Sequence, residues 1–318
     1  MNQVIKKKTR LPINGVLLLD KPVGWSSNDA LIKAKRLLNA IKAGHTGTLD
    51  PFATGLLPLC FGEATKFSAD LLDADKTYQT VVHLGQRTNT GDTEGEVIEH
   101  KDVNVSVEQI QQALAQFRGD IMQVPPMYSA LKRDGKALYE YAREGITLER
   151  EARPVTIHML EFVKYEAPFL TLNVRCSKGT YIRVLGEDIG TALGCGAHLN
   201  ALRRTHVGHL ILENTVTLDQ LIAMEEMQRL ELLAPVDALL SSFPEVLLNA
   251  DLAKRFLQGQ RISLDKEQVV YPQQMGRVRV YKVEPDKDSR YLLGSAQLQE
   301  YGVLAPERLI STVDQAAT

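Results

Sequence analysis

Two runs of strand-forming residues, 155–165 and 169–176, are separated by only three residues, with Pro168 in the turn. So short a turn joins antiparallel neighbours, because a parallel pair needs a crossover of a dozen or more residues. A third run, 76–84, alternates, with Tyr78, Val82 and Leu84 on one face. Residues 15–20, 56–61 and 199–207 read as further strands. Apolar spacing predicts helices at 29–38 with Asn28 as N-cap, at 64–72, at 181–193 ending in Gly194, and over much of 217–240. Ser106 and Gln109 make a capping box, opening a helix with Val107, Ile110, Leu114 and Phe117 on one stripe and Gly119 at its end. The pattern specifies an α+β fold around a mixed, mainly antiparallel sheet.

Interruptions divide the chain. The polar stretch 87–95 is expected to be loop. Pro125 and Pro126 break the pattern, and the charged segment behind them, with Tyr139 and Tyr141 on a short helix stopping at Gly145, reads as an excursion from the core. A boundary falls at 241–244. Beyond it, a helix at 251–257 and strands at 277–283, 291–297 and 303–309 form a small β-rich module. The expected organisation is one unit over 1–243, with an insertion at about 125–152, and a second over 244–318.

Net charge is −2, which alone argues against a nucleic-acid binder. The distribution is uneven: residues 1–50 hold nine Lys/Arg against three acids, and 210–250 hold one Arg against seven. A basic face is therefore available, and association responds to the local field more than to the total. No stretch of about 18 apolar residues exists to span a membrane. The basic Lys6, Lys7, Lys8 and Arg10 are followed by no apolar signal-peptide core. Three cysteines, Cys60, Cys176 and Cys195, imply no disulfide framework and fit a reducing cytoplasm.

The segment Gly44-His45-Thr46-Gly47-Thr48-Leu49-Asp50-Pro51 concentrates chemistry: a carboxylate, an imidazole and two hydroxyls within six residues. Its glycines open backbone conformations closed to other residues, and Pro51 biases Asp50 toward extended geometry. Such a loop suits a nucleophile held against a bound base. It equally suits a connection whose Asp and Thr hydrogen-bond the turn. It lacks the Gly-x4-Gly-Lys-Ser/Thr of a phosphate-binding loop and the Gly-x-Ser-x-Gly of a serine hydrolase. Gly194-Cys195-Gly196 fails as a dinucleotide fingerprint at its third glycine. Cys195, His198, His206 and His209 have spacings that zinc accepts, but His206 and His209 fall on opposite faces of a strand and no second Cys supports them. They are expected on a polyanion-facing surface beside Arg203 and Arg204, or in solvent.

Residues 42–66, running from Lys42 through His45 and Asp50 to Lys66, resemble the active-site signature of the TruB family of tRNA pseudouridine synthases. Residues 15–26, with the Lys21-Pro22-Val23-Gly24 turn, resemble the family's opening strand. Residues 75–78, 90–95, 123–132, 176–183 and 202–205 match further blocks in family order, over about residues 13–210. More weakly, 277–281, 293–296 and 305–309 resemble a PUA-type RNA-binding module.

The resemblance implies isomerisation of uridine to pseudouridine at position 55 in the TΨC loop of tRNA, with no metal and no organic cofactor. It makes Asp50 the nucleophile, attacking either C6 of the base or C1′ of the sugar. Arg183 would hold Asp50 ionised. The Tyr78 ring would stack on the uracil, and its hydroxyl would be placed for the C5 proton. Tyr181 and Leu202 would pack around the flipped nucleotide, with Tyr128, Met127 and Ile182 on the same wall. Lys21 is expected to bind substrate, and His45 to stack where the uridine leaves the RNA. The insertion would be a thumb closing on the stem-loop through Lys132, Arg133, Lys136 and Arg143. No membrane and no obligatory protein partner are implied. Two alternatives share these motifs: an RNA-binding helper of tRNA folding, and a guide-RNA-dependent relative.

Overall fold

The computed structural model describes residues 9–284 and 287–311; the expected basic cluster of Lys6, Lys7 and Lys8 lies outside them. The chain runs through β1 (Gly15–Lys21), α1 (Ser27–Leu37), β2 (Ala43–His45) and β3 (Thr54–Phe61). A 3-10 turn and α2 (Ser68–Leu72) lead into β4 (Lys76–Leu84). A hairpin of β5 (Gln86–Thr88) and β6 (Val97–His100) precedes α3 (Val107–Ala115) and β7 (Gly119–Gln123). The insertion holds β8 (Lys132–Arg133), β9 (Lys136–Ala137) and α4 (Leu138–Arg143). Next come β10 (Arg153–Glu166), β11 (Phe169–Cys176), α5 (Ile182–Ala192), β12 (Ala197–Val207), β13 (Leu210–Ile211), β14 (Val216–Thr217), α6 (Leu218–Ala223) and α7 (Glu226–Glu231). The C-terminal part contains β15 (Glu245–Leu248), α8 (Ala250–Leu257), β16 (Ile262–Ser263), β17 (Gly276–Glu284), β18 (Lys287–Gln299) and β19 (Val303–Leu309).

The main sheet has the order β14-β1-β3-β12-β4-β11-β10-β7, with β2 on β3 and β13 on β12. Only β1/β14 and β3/β12 pair in parallel among its described strands. The expected α+β class, with its mainly antiparallel sheet, is therefore the observed one. Strand alternation buries Leu17, Leu57, Val82, Leu172 and Leu199 in one core with α1 and α5. The insertion leaves the sheet after Gln123 and returns at Arg153, which are paired neighbours at the sheet edge. The C-terminal β-rich, PUA-like part has its own five-stranded sheet, β15-β17-β18-β19-β16, around Val246, Phe256 and Val280. A third cluster joins the two parts: Phe67 and Leu71 pack with Leu240 and Ile310. The Asp70–Arg277 ion pair, with Glu307 at 2.8 Å from Arg277, locks the same junction.

Several local expectations are corrected. Ser26, not Asn28, caps α1: its hydroxyl accepts from the Asp29 amide at 3.1 Å. Gly119 does not end α3 but opens β7, at φ +84°. Val107 is exposed, so the buried stripe of α3 is Ile110, Ala113 and Leu114. Arg87 and Thr88 belong to β5 rather than to a loop, and Gly44 and His45 extend β2. At Gly119, Arg87, Thr88, Gly44 and His45 a short strand, formed by pairing with another segment, overrode a local turn signal.

The parallel contact of β3 with β12 brings two backbones close together. It places Gly55 against Arg204, and a Cβ on Gly55 would meet the Arg204 carbonyl oxygen at 2.3 Å. At φ +103° a side chain there is strained as well. Gly55→Ala is expected to cost roughly 3 kcal/mol, read as a lower urea midpoint with unchanged slope.

Candidate active site

A cleft of about 240 Å³ opens where the loop between β2 and β3 meets the start of α5 and the facing strands β4 and β12. Asp50, Tyr78, Tyr181, Ile182, Arg183 and Leu202 all line it. Asp50 and Leu202 lie 152 positions apart, and the β4/β12 pairing and the α5 N-terminus bring the set together.

Three buried groups fix the loop that carries Asp50. The Ser27 hydroxyl donates to the Leu49 carbonyl at 3.0 Å and accepts from the Leu49 amide at 2.8 Å. The Lys21 ammonium donates to the carbonyls of Pro22 (2.9 Å), Trp25 (2.6 Å) and Pro51 (3.3 Å). The Arg204 guanidinium donates to Gly47 (3.1 Å) and to Leu56 (2.8 Å). The backbone on both sides of Asp50 is thus held, while 37% of its side chain stays open to the cleft.

Arg183 approaches Asp50 from the first turn of α5, with Nε 3.0 Å from Oδ2. Its other nitrogens donate to the carbonyls of Thr90 (2.9 Å) and Tyr128 (2.6 Å). A second carboxylate, Asp92, lies 3.6 Å from Nε. Sequence reasoning gave Asp92 no role. Its signal was an Asp two residues beyond Thr90, whose hydroxyl it accepts at 2.6 Å. Sequence reasoning also passed over Gln123. Its side-chain amide accepts from the Tyr181 amide (2.8 Å) and donates to the Tyr181 carbonyl (3.1 Å), fixing the residue that opens α5.

The electrostatics differ from expectation in one respect. Arg183 does favour the ionised form of Asp50, but burial in the cleft wall is the larger influence and Asp92 adds a like charge. The Asp50 carboxyl therefore lies above its ordinary value. Burial raises Tyr78 as well, against the opposing field of Arg204. Burial lowers the ammonium groups of Lys21 and Lys76 to about 8 each. Lys76 caps the end of α2 through the carbonyls of Leu71, Leu72 and Ala74.

Other expected residues stand elsewhere. Lys21 is fully buried on its three carbonyls, so its position is that of a loop anchor rather than a nucleotide contact. His45 ends β2 outside the cleft lining; burial, then Arg204, lowers its pKa, and its Nδ1 is buried without a partner. Met127 and Tyr128 line a separate hollow, with Pro126 and Arg150, instead of the wall formed by Ile182. Arg204 is buried rather than on a polyanion-facing surface, and Arg203, partly exposed, pairs with Asp20 at 2.6 Å. His198, His206 and His209 turn to separate partners, the Gln86 carbonyl, the Thr205 hydroxyl and the Ala238 carbonyl. His209 lies in the turn beyond β12, not on a strand face. Among the described residues no group of three His, Cys, Asp or Glu is placed to hold a metal. No described helix is long and apolar enough to cross a membrane.

Comparison with known proteins gives a consistent picture. The family described as "TruB family pseudouridylate synthase (N terminal domain)" matches residues 35–182. "tRNA pseudouridylate synthase B C-terminal domain" matches 183–241, and "Pseudouridine synthase II TruB, C-terminal" matches 244–310. The chain is 62% identical to the tRNA pseudouridine synthase B of Burkholderia mallei, over 96% of this chain and 97% of that one. It is 61% identical to the protein of that name from Ralstonia pickettii, over 96% of each. The crystal structure of an archaeal box H/ACA sRNP Nop10-Cbf5 complex shares the fold, with TM-score 0.70 at 24% identity, over 96% of this chain and 88% of that one.

The loop anchors generate a prediction. Ser27→Ala orphans the buried amide and carbonyl of Leu49, and is expected to cost about 2 kcal/mol. Urea unfolding reads the loss; an unchanged midpoint would show that the hydroxyl does not hold the loop.

Proposed function

We propose that this chain, which belongs to the TruB family of pseudouridine synthases, isomerises the uridine at position 55 in the TΨC loop of tRNA, with Asp50 as nucleophile. The observation that carries the reading is the contact of Asp50 with Arg183 in a cleft lined by three buried cations, Lys76, Arg183 and Arg204, and one carboxylate, Asp50. A polyanion is drawn to such a field, and a carboxylate anchored in it is ready to form a bond to the nucleotide and leave again.

A stacked uridine reaches Asp50 only by leaving the RNA, at a cost of a few kcal/mol. Tyr181, Ile182 and Leu202 supply an apolar wall for the extruded base, and Tyr78 a ring on which it stacks. The bond from N1 to C1′ breaks, the uracil turns, and C5 bonds to C1′. The hydroxyl of Tyr78, a residue of the cleft lining, takes the proton that leaves C5. His45 fills the place the base vacates. The insertion closes on the stem-loop through exposed Lys132 and Arg133, and the module at 244–318 grips RNA beyond the active site. Three free, buried cysteines fit the cytoplasm as its compartment. The reading requires no protein or guide partner, so the purified chain acts on a bare stem-loop.

Asp50→Asn is expected to lower the single-turnover rate by at least about 10³-fold while stem-loop binding stays near wild type. Retained conversion removes Asp50 from the role, and wild-type protein that binds the stem-loop without converting it points to an RNA-binding helper.

The pH dependence has a definite sign. Attack needs the ionised carboxylate, so the rate falls as pH drops through the raised Asp50 pKa. The acidic limb therefore lies above 3.8, the ordinary aspartate value. Asp92→Asn keeps an oxygen for the Thr90 hydroxyl but removes the like charge, and it should move the limb to lower pH.

A further inference from the structure

Arg204 is among the largest fully buried side chains of the protein, 1% exposed in the middle of β12. No ion pair compensates it among the described residues; its donors meet the carbonyls of Leu56 and Gly47. A guanidinium cannot shed its proton to escape burial, so this wall of the cleft carries a fixed positive charge. The register of the sheet aims that charge. Arg204 pairs directly with Tyr78 across β4 and β12, which sets the two side chains beside one another on one face of the sheet, and both residues line the cleft; the Arg204 charge favours the ionised phenol. Gly55 permits the approach, since any side chain there would displace the Arg204 backbone. Every other influence on the phenol opposes its ionisation: burial first, then the Cys176 thiol and the Asp50 carboxylate.

We propose that Arg204 is a positioning residue for proton transfer from C5: it holds a fixed positive charge beside Tyr78 across the strand pair and stabilises the phenolate that takes the proton. The phenol releases its proton to solvent. The phenolate accepts the proton from C5, the C–H electron pair restores the C5=C6 double bond, and N1 takes up one proton from solvent. Charge and electron count are unchanged overall, as an isomerisation requires. The same guanidinium holds Gly47, three residues before Asp50, so base and nucleophile share one rigid support. The inference rests on the activity proposed above.

The test compares wild type, Arg204→Gln and Arg204→Lys in single turnover, on a stem-loop RNA whose target uridine carries protium or deuterium at C5. Stem-loop binding and thermal unfolding are measured in parallel. Arg204→Gln is expected to bind RNA as wild type does but to convert it about 10²-fold more slowly, with a deuterium slowing larger than in wild type. Arg204→Lys places an ammonium in the wall where Lys21 and Lys76 are lowered to about 8. Its rate should therefore fall on the basic side at a lower pH than the wild-type rate. If Arg204→Gln does not fold, the pH profile of Arg204→Lys decides alone. A wild-type pH profile in Arg204→Lys, or a slower Arg204→Gln with no added deuterium effect, leaves Arg204 as a loop anchor and overturns the inference. Wild-type protein that binds the stem-loop without converting it overturns the proposed activity and this inference together.

Discussion

The structure depends on one constraint: a loop of five residues, 47–51, must present a carboxylate in a fixed direction while its backbone is buried at Leu49 and partly buried at Gly47 and Pro51. Arg204 takes the carbonyl of Gly47, Ser27 takes both polar groups of Leu49, and Lys21 takes the carbonyl of Pro51. Each anchor comes from a different element, β12, α1 and β1. The arrangement of the sheet is what makes them converge. A loop lacking any of them would leave buried backbone groups unpaired, at about 1–3 kcal/mol each.

The anchors are mostly cations, and this gives them a second consequence. Carbonyl oxygens satisfy their donors without cancelling their charge. Lys21, Lys76 and Arg204 thus leave positive potential beneath a cleft that also holds Arg183. That potential opposes the effects of burial on Asp50 and Tyr78 without overcoming them. The carboxyl remains above its ordinary value and the phenol remains protonated at rest. Structural support and chemical tuning use the same side chains here, so substitutions at Lys21 or Arg204 act on both at once.

Much of this was legible in the sequence. The strands 155–165 and 169–176, the alternation of 76–84, and the capping box of Ser106 and Gln109 are local patterns, and the structure holds each of them. The cleft's lining by Asp50, Tyr78, Arg183, Tyr181 and Leu202 was anticipated because family motifs record residues distant along the chain. Arg204 was misplaced because a charged side chain is ordinarily exposed, and only partners far along the chain justify its burial. Asp92 and Gln123 were missed for the same reason: an acid in a polar loop and an amide beside two prolines have many uses.

The sequence by itself determined most of the longer strands and helices, where the insertion interrupts them, and which loop carries the carboxylate. These follow from periodicity, caps and turn residues, all of which act over a few positions. Only the tertiary structure decided what each charge does. The β4/β12 register set Arg204 against Tyr78, the α5 N-terminus brought Arg183 to Asp50, and β3 brought its glycine against β12. Burial and pairing are properties of the assembled sheet, so the same arginine reads as a surface charge in the sequence and as a fixed interior cation in the fold.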